Sequence, residues 1–187
     1  ELFDAVPRPA LHVEYSTMVG SDYCNAASQV RNCYLAFKTD RSENSAYLNA
    51  VTGVKDSVDI AYANYVEVSY ESVNINKCFQ AFWSLDCDSC SNVWFSRDLS
   101  GCTNCVGCIN LRGKNYCIFN EQYSKEAYET KIKEFDFGTP WGIESFKRKV
   151  EEFFRTQPRR EFHGKQTVNV SGDYLYQCKN VHDSYWI

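Results

Sequence analysis

The sequence predicts a mainly β protein: a right-handed parallel β-solenoid with an inserted helical pair. About three short strands are expected per coil of about 21 residues. Three observations carry that expectation. A short phrase recurs between Val30 and Asn120, as in "RNCYLAF", "ENSAYLN", "KDSVDIAY", "ESVNINK", "SNVWFSR" and "KNYCIFN". Each phrase alternates apolar and polar residues and closes on Asn, Asp, Ser or Gly, which reads as a short strand and a turn. Successive phrases lie about seven residues apart and every third one about 21 on, the spacing of a stacked coil. A sandwich would call for longer strands and Asn-Gly hairpin turns, and the phrases leave no room for intervening helices.

Taken in order, residues 1–20 read as an extended N-terminal cap or tether, stiffened by the prolines of "VPRPALH". Residues 21–120 form the array, with Val58/Ile60, Val66/Val68, Val73/Ile75 and Val93/Phe95 as the plainest inward pairs. The phrases stop at Asn120. "YSKEAYETKIKEF" then sets Tyr128, Ile132 and Phe135 on one helical face, with Ser124 as N-cap. "TPWGIESFKRKVEEFFRTQP" offers Thr139 as N-cap, Pro140 at the first helical position, and an apolar face of Ile143, Phe146, Val150, Phe153 and Phe154. Residues 121–160 are therefore a helical pair packed across the side or end of the solenoid. From 161 a second array begins, because "DYLYQCKNVHDSYWI" at 173–187 aligns without a gap on "DYCNAASQVRNCYLA" at 22–36. The chain lacks an initiator Met and breaks off in mid-phrase at Ile187, so a piece of a longer protein is expected.

Composition narrows the function. The 187 residues are 44% hydrophobic and 16% aromatic, with a net charge of −4. Residues 42–110 hold eight acids (Glu43, Asp56, Asp59, Glu67, Glu71, Asp86, Asp88, Asp98) against three bases (Lys55, Lys77, Arg97). Such a face repels nucleic acid, so no direct nucleic-acid binding is expected of the solenoid. No apolar run is long enough to cross a membrane as a helix, and no membrane partner is expected. No export signal is visible, and seven of the ten cysteines crowd into residues 78–117. Reduced thiols in a cytoplasmic protein are the expectation.

The stretch "CDSCSNVWFSRDLSGCTNCVGCINLRGKNYC", from Cys87 to Cys117, holds six of those ten. Cys87, Cys90, Cys102 and Cys105 have the spacing of a tetrahedral zinc site. Cys102, Cys105 and Cys108 with Cys117 fit an iron–sulfur cluster less well, since no proline follows the last one. Against both stands an internal comparison. The slot of Cys33 and Cys78 is filled by Ser45, Ser57 and Ser72 in sister phrases, and Val66 and Cys108 lie 21 residues either side of Cys87. Cysteine behaves here as a small, buryable residue exchangeable with Ser and Val. The favoured reading is a packing ladder without metal or other cofactor, and zinc is its main rival.

Other constellations are thin. His12, His163 and His182 stand in no ligand or triad pattern and read as ordinary turn or surface residues. Asp86, Asp88 and Asp98 on one groove would suit a polymer-acting, polysaccharide-type solenoid enzyme, but they read first as solvated turn residues. Exposed aromatics among the strands, such as Trp83, Trp94 and Tyr70, would suit a protein partner. The sequence therefore favours a non-catalytic solenoid scaffold for protein–protein interaction. A zinc-binding structural module and a polymer-acting enzyme are the alternatives.

"VPRPALH", "NCYLAF", "GCTNCVGCINLRGKNYCIFNEQYSKEAYE" and "SGDYL" resemble an uncharacterised family of cysteine-rich repeat proteins from ultra-small, candidate-phyla bacteria. The likeness covers nearly the whole chain, and "GCINLRGKNYCIFNEQYSKEAYE" is its most specific part. It implies zinc-ribbon-like C-x2-C pairs upstream of "VPRPALH" and a further repeat array downstream. Several family C-x2-C slots hold Val, Ile or Ser here. The family brings architecture and context, and no reaction to carry over.

Overall fold

A computed structural model describes residues 12–186; residues 1–11, including most of "VPRPALH", and Ile187 lie outside the described residues. The chain forms two compact units divided between Phe154 and Arg155.

In the first unit the backbone turns a corner every three residues. From Tyr23 to Phe119 each third residue has φ between 44° and 65°, the left-handed region. The residue after each corner points inward: Cys24, Ala27, Val30, Cys33 and Ala36 are all buried, and so are Leu48, Val51 and Val54. Each side is thus an inward, a middle and a corner residue, and four sides close one coil. Strand partners are parallel and 12 residues apart, as in Asn25↔Phe37, Tyr34↔Ala46, Val54↔Val66 and Cys105↔Cys117. This is a parallel β-solenoid.

The coil is 12 residues long, not about 21. Twenty-one is a multiple of three but not of 12, so Val66, Cys87 and Cys108 all face inward, from three different sides. The inward pairs need the same correction. Ile60, Val66, Ile75 and Val93 are buried in the interior, whereas Val58, Val68 and Val73 are middle or corner residues and exposed. Phe95 is buried, but at a corner beneath the helices. Val13 and Val19, in the stretch expected as a cap or tether, already pair in parallel with Ala27 and Arg31.

A left-handed corner costs a non-glycine residue roughly 1–2 kcal/mol, and stacking has to offset it in every coil. Corner amides bond to the coil before, as Asn44 N–H does to the Arg31 carbonyl at 2.9 Å. Asn and Asp, the residues that best tolerate this conformation, also bond side chain to side chain up one edge. Asn32 Nδ2 donates to Asn44 at 3.0 Å, and Asn44 Nδ2 to Asp56 at 2.9 Å.

A short antiparallel strand, Glu121–Gln122, pairs with Cys117 and Ile118 at the end of the array. Helix α1, Lys125–Ile132, follows, with the Ser124 hydroxyl accepting from Ala127 N–H at 3.2 Å. Helix α2, Pro140–Thr156, begins where Thr139 Oγ1 accepts from Gly142 N–H at 3.1 Å. Among the described residues no helix is long and apolar enough to cross a membrane.

The second unit holds two short parallel pairs, Gly164–Lys165 with Leu175–Tyr176 and Val168–Asp173 with Lys179–Tyr185. His163 is buried there rather than a surface residue. Its Nδ1 lies 3.0 Å from Asp173, and its ring stacks on Tyr174 at 4.7 Å.

Candidate functional site

Two features of the first unit carry chemistry: the interior lined by thiols and hydroxyls, and one apolar side of the solenoid. In the interior, serine and cysteine do the same work. An inward Ser hydroxyl donates to the carbonyl two residues back, as Ser57 does to Lys55 at 2.7 Å and Ser84 to Phe82 at 3.0 Å. It also accepts the amide of the inward residue one coil on: Ser57 N–H reaches Ser45 Oγ, Ser69 N–H reaches Ser57 Oγ, and Ala81 N–H reaches Ser69 Oγ. Cys33, Cys78, Cys87, Cys90, Cys105 and Cys108 each point Sγ at the carbonyl two residues back, at 3.3–3.4 Å. Asn120 N–H in turn reaches Cys108 Sγ at 3.5 Å, one coil on. Cys33 and Ser45 occupy successive slots of one column, and their exchange follows from this shared pair of bonds.

The C-x2-C spacing has the same origin. Cys87 and Cys90, like Cys102 and Cys105, are neighbouring inward slots, three residues apart because every third residue turns inward. Cys78, Cys90 and Cys102 stack in one column, Cys105 and Cys117 in the next, and Cys87 faces in from a third side. Among the described residues, Cys87, Cys90, Cys102 and Cys105 do not gather with all four sulfurs within 4.8 Å of one another. All ten cysteines are free thiols, and nine of them are buried.

Their electrostatics follow from burial. Desolvation pushes the thiols of Cys33 and Cys102 up and that of Cys117 up to about 11. Hydrogen bonding to Cys90, together with burial, raises Cys78 and Cys87 further. At Cys90 the hydrogen bonds from Cys78 and Cys87 pull downward against its own burial. Its Sγ faces the Asp88 carbonyl at 3.3 Å, a partner for S–H and not for a thiolate, and an unpaired buried charge is costly. The trio is best described as neutral thiols.

The apolar side is the ladder Tyr34↔Ala46↔Val58↔Tyr70↔Phe82↔Trp94↔Val106↔Ile118, each step 12 residues. The corner bordering it runs Tyr23, Leu35, Tyr47, Asp59, Glu71, Trp83, Phe95, Gly107 and Phe119. Over its later coils this side is covered by the helices. Trp83 stacks on Phe95 at 4.6 Å, Phe95 meets Phe146 at 5.0 Å, and Phe119 meets Phe146 and Phe153 at 5.4 Å. Gly107 permits this approach: a Cβ there would lie 3.0 Å from the Phe119 ring and 3.2 Å from Val150, and its φ is +63°. At the same edge Lys147 pairs with Glu71 at 3.3 Å and lies 5.2 Å over the Trp83 ring. Burial pushes the Glu71 carboxyl up, but hydrogen bonds from Tyr70 and Lys147 outweigh it and hold the group below the usual range.

Trp83, Trp94 and Tyr70 are therefore not the exposed aromatics expected of them. They are half-buried in or beside the cluster under the helices. The exposed ones lie upstream on the same side: Tyr23 at 71%, Tyr34 at 44% and Tyr47 at 51% exposure. Their rings meet edge to face, at 5.6 Å for Tyr23–Tyr34 and 6.0 Å for Tyr34–Tyr47. Phe37, Tyr62, Tyr65 and Phe79 are exposed on the other sides. This division was not legible in the sequence, where covered and uncovered middle positions look alike.

Of the three acids, Asp86 and Asp98 are successive residues of one corner, with Asn74 Nδ2 donating to Asp86 at 2.5 Å. Asp88 belongs to a different side and accepts from Asn76 Nδ2 at 2.6 Å. A shallow open groove of about 450 Å³ runs past Arg41, Glu43, Gly53, Lys55, Tyr65 and Lys77 and includes none of the three.

No protein-family model matches the chain, and no curated protein matches it. Among solved structures it is similar to a UDP-N-acetylglucosamine acyltransferase from Campylobacter jejuni. That likeness has a TM-score of 0.28 and 10% identity, over 82% of this chain and 91% of that one. A UDP-N-acetylglucosamine O-acyltransferase from Moraxella catarrhalis gives 0.27 and 9%, over 78% and 91%. A perosamine N-acetyltransferase variant from Caulobacter crescentus gives 0.15 and 8%, over 56% and 50%. Likeness at this level carries neither shape nor chemistry across, and the solenoid rests on its own strand registers.

Proposed function

We propose that this chain is a non-catalytic scaffold whose solenoid presents its sides to a protein partner. The observation that supports the reading is the row of exposed aromatic side chains on consecutive coils. Tyr23, Tyr34 and Tyr47 stand on one side, and Phe37, Tyr62, Tyr65 and Phe79 on others. Exposed aromatic surface on a hydrogen-bonded framework is the raw material of an interface, because large rings bury much area at low conformational cost. In this reading the interior thiols are packing groups that stay reduced, which suits a cytoplasmic protein, and the acidic sides favour protein over nucleic acid.

The test is capture by the whole chain from its native host, compared with a chain carrying Tyr34, Tyr47, Phe37, Tyr62, Tyr65 and Phe79 changed to serine. These positions are exposed, so circular dichroism and melting should stay close to the parent. A partner held by the parent and lost by the variant supports the scaffold. No retained protein, or an identical set on both chains, refutes it.

A further inference from the structure

We infer that the uncovered stretch of the aromatic side, Tyr23, Tyr34, Tyr47 and Val58, docks an amphipathic helix of a protein partner whose apolar stripe is edged by lysine or arginine. The inference rests on the scaffold reading and narrows it to one side and one class of ligand.

Continuity comes first. These residues belong to the same parallel ladder and corner that α2 covers further along, so the surface offered is the upstream part of a surface already seen to take a helix. On the covered part, Phe146 and Val150 supply the apolar contact, and Lys147 meets Glu71 at the corner. One coil upstream of Glu71 the same corner carries Asp59, and the opposite edge carries Asp56, both exposed. The acid that receives a lysine from α2 is thus repeated where, among the described residues, no helix lies. From Tyr23 to Val58 the stretch spans three coils, about 14 Å at the usual strand spacing, the length of about ten helical residues. The rings of Tyr23, Tyr34 and Tyr47 already brace one another edge to face, so little side-chain freedom remains to be lost on docking.

Charge separates this occupant from the others. A second copy of the chain on a twofold axis would set this acid-edged patch, with Asp56 and Asp59, against an identical acid-edged patch. An anionic lipid surface would meet the same acids. A helix flanked by basic residues meets neither objection.

The probe is a fluorescent peptide of residues 139–156, "TPWGIESFKRKVEEFFRT", added to the whole chain, since this sequence is the one that covers the later coils. Saturable binding is expected. It should weaken at least tenfold in a Tyr34→Ser/Tyr47→Ser chain and severalfold in Asp59→Lys, with melting close to the parent in both. Three outcomes overturn the inference. The peptide does not bind; or it binds the Tyr variants as well as the parent, which means it displaces α2; or sedimentation shows the parent self-associating through the tyrosines. If any of these occurs while capture is still lost in the chain with the six exposed rings changed to serine, the scaffold stands and the helix falls. If capture fails too, both fall.

Discussion

Cys90 stands in one column with Val30, Ser42, Val54, Val66, Cys78 and Cys102, successive inward residues 12 apart. Its Sγ points to the Asp88 carbonyl at 3.3 Å, and its sulfur accepts the Cys102 amide. Ser42 makes the same two contacts in its own coil, to the Asp40 carbonyl at 3.2 Å and from Val54 N–H at 3.3 Å. A serine at 90 keeps both bonds. It gives up sulfur bulk worth on the order of one methylene, about 0.8 kcal/mol, plus a small void, against slightly better bonds. The predicted net cost of Cys90→Ser is about 1–2 kcal/mol, a fall in Tm of roughly 2–8 °C for a chain of this size. Cys90→Ala removes the acceptor from the buried Cys102 amide, which adds about 1–3 kcal/mol. Alanine should therefore be worse than serine, the reverse of the order in an ordinary apolar core. The assay is thermal unfolding followed by circular dichroism on the two variants. Alanine tolerated better than serine would refute the hydrogen-bonding role. Equal collapse of both, with zinc lost from the parent on chelation, would show a metal-bound fold.

Three further outcomes follow from the geometry. Val68 is a β-branched residue at φ 50°, on the corner between Asp56 and Gln80; Val68→Asn should raise stability by about 1 kcal/mol, read as a higher Tm. Phe146 is buried among Phe95, Phe119, Phe135 and Phe137; Phe146→Ala should cost about 3–5 kcal/mol and raise protease sensitivity in α2 before the solenoid. Burial lifts Cys117 from 9.0 to about 11. A group whose folded value is raised lends stability that is whole below its unfolded value and is lost as pH climbs through the folded one. Unfolding midpoints in urea should accordingly fall between pH 9 and 11, and less so in Cys117→Ser.

Helices and solenoid were legible for different reasons. Ser124 and Thr139–Pro140 mark helix starts through local chemistry that survives any tertiary context, and both caps form. The parallel stacking was legible because the phrases recur. The coil length was not, for a physical reason. Val58 and Ile60 look like a period-two strand, but Val58 is the middle residue of one side and Ile60 the inward residue of the next. Apolar middle positions on the aromatic side imitate alternation and hide the period of three. Corners give little help, since stacking lets Tyr23, Lys38, Val68 and Trp83 all take the left-handed conformation that Asn or Gly would mark in an ordinary turn. The C-x2-C pairs misled in the same way. They carry the three-residue inward period and resemble metal-ligand spacing by coincidence of number.

The 12-residue coil underlies the column assignments, the thiol–hydroxyl exchange and the continuous aromatic side. Gln29 and Ser89 are exposed residues of one corner, 60 residues and therefore five coils apart. Nitroxides attached there through genetically encoded ketones, which leave the native thiols untouched, give the separation by pulsed electron spin resonance. Five coils at the usual strand spacing predict about 24 Å between the backbones. A distance near 14 Å, which coils of about 21 residues would give, would contradict the fold and every residue assignment built on it.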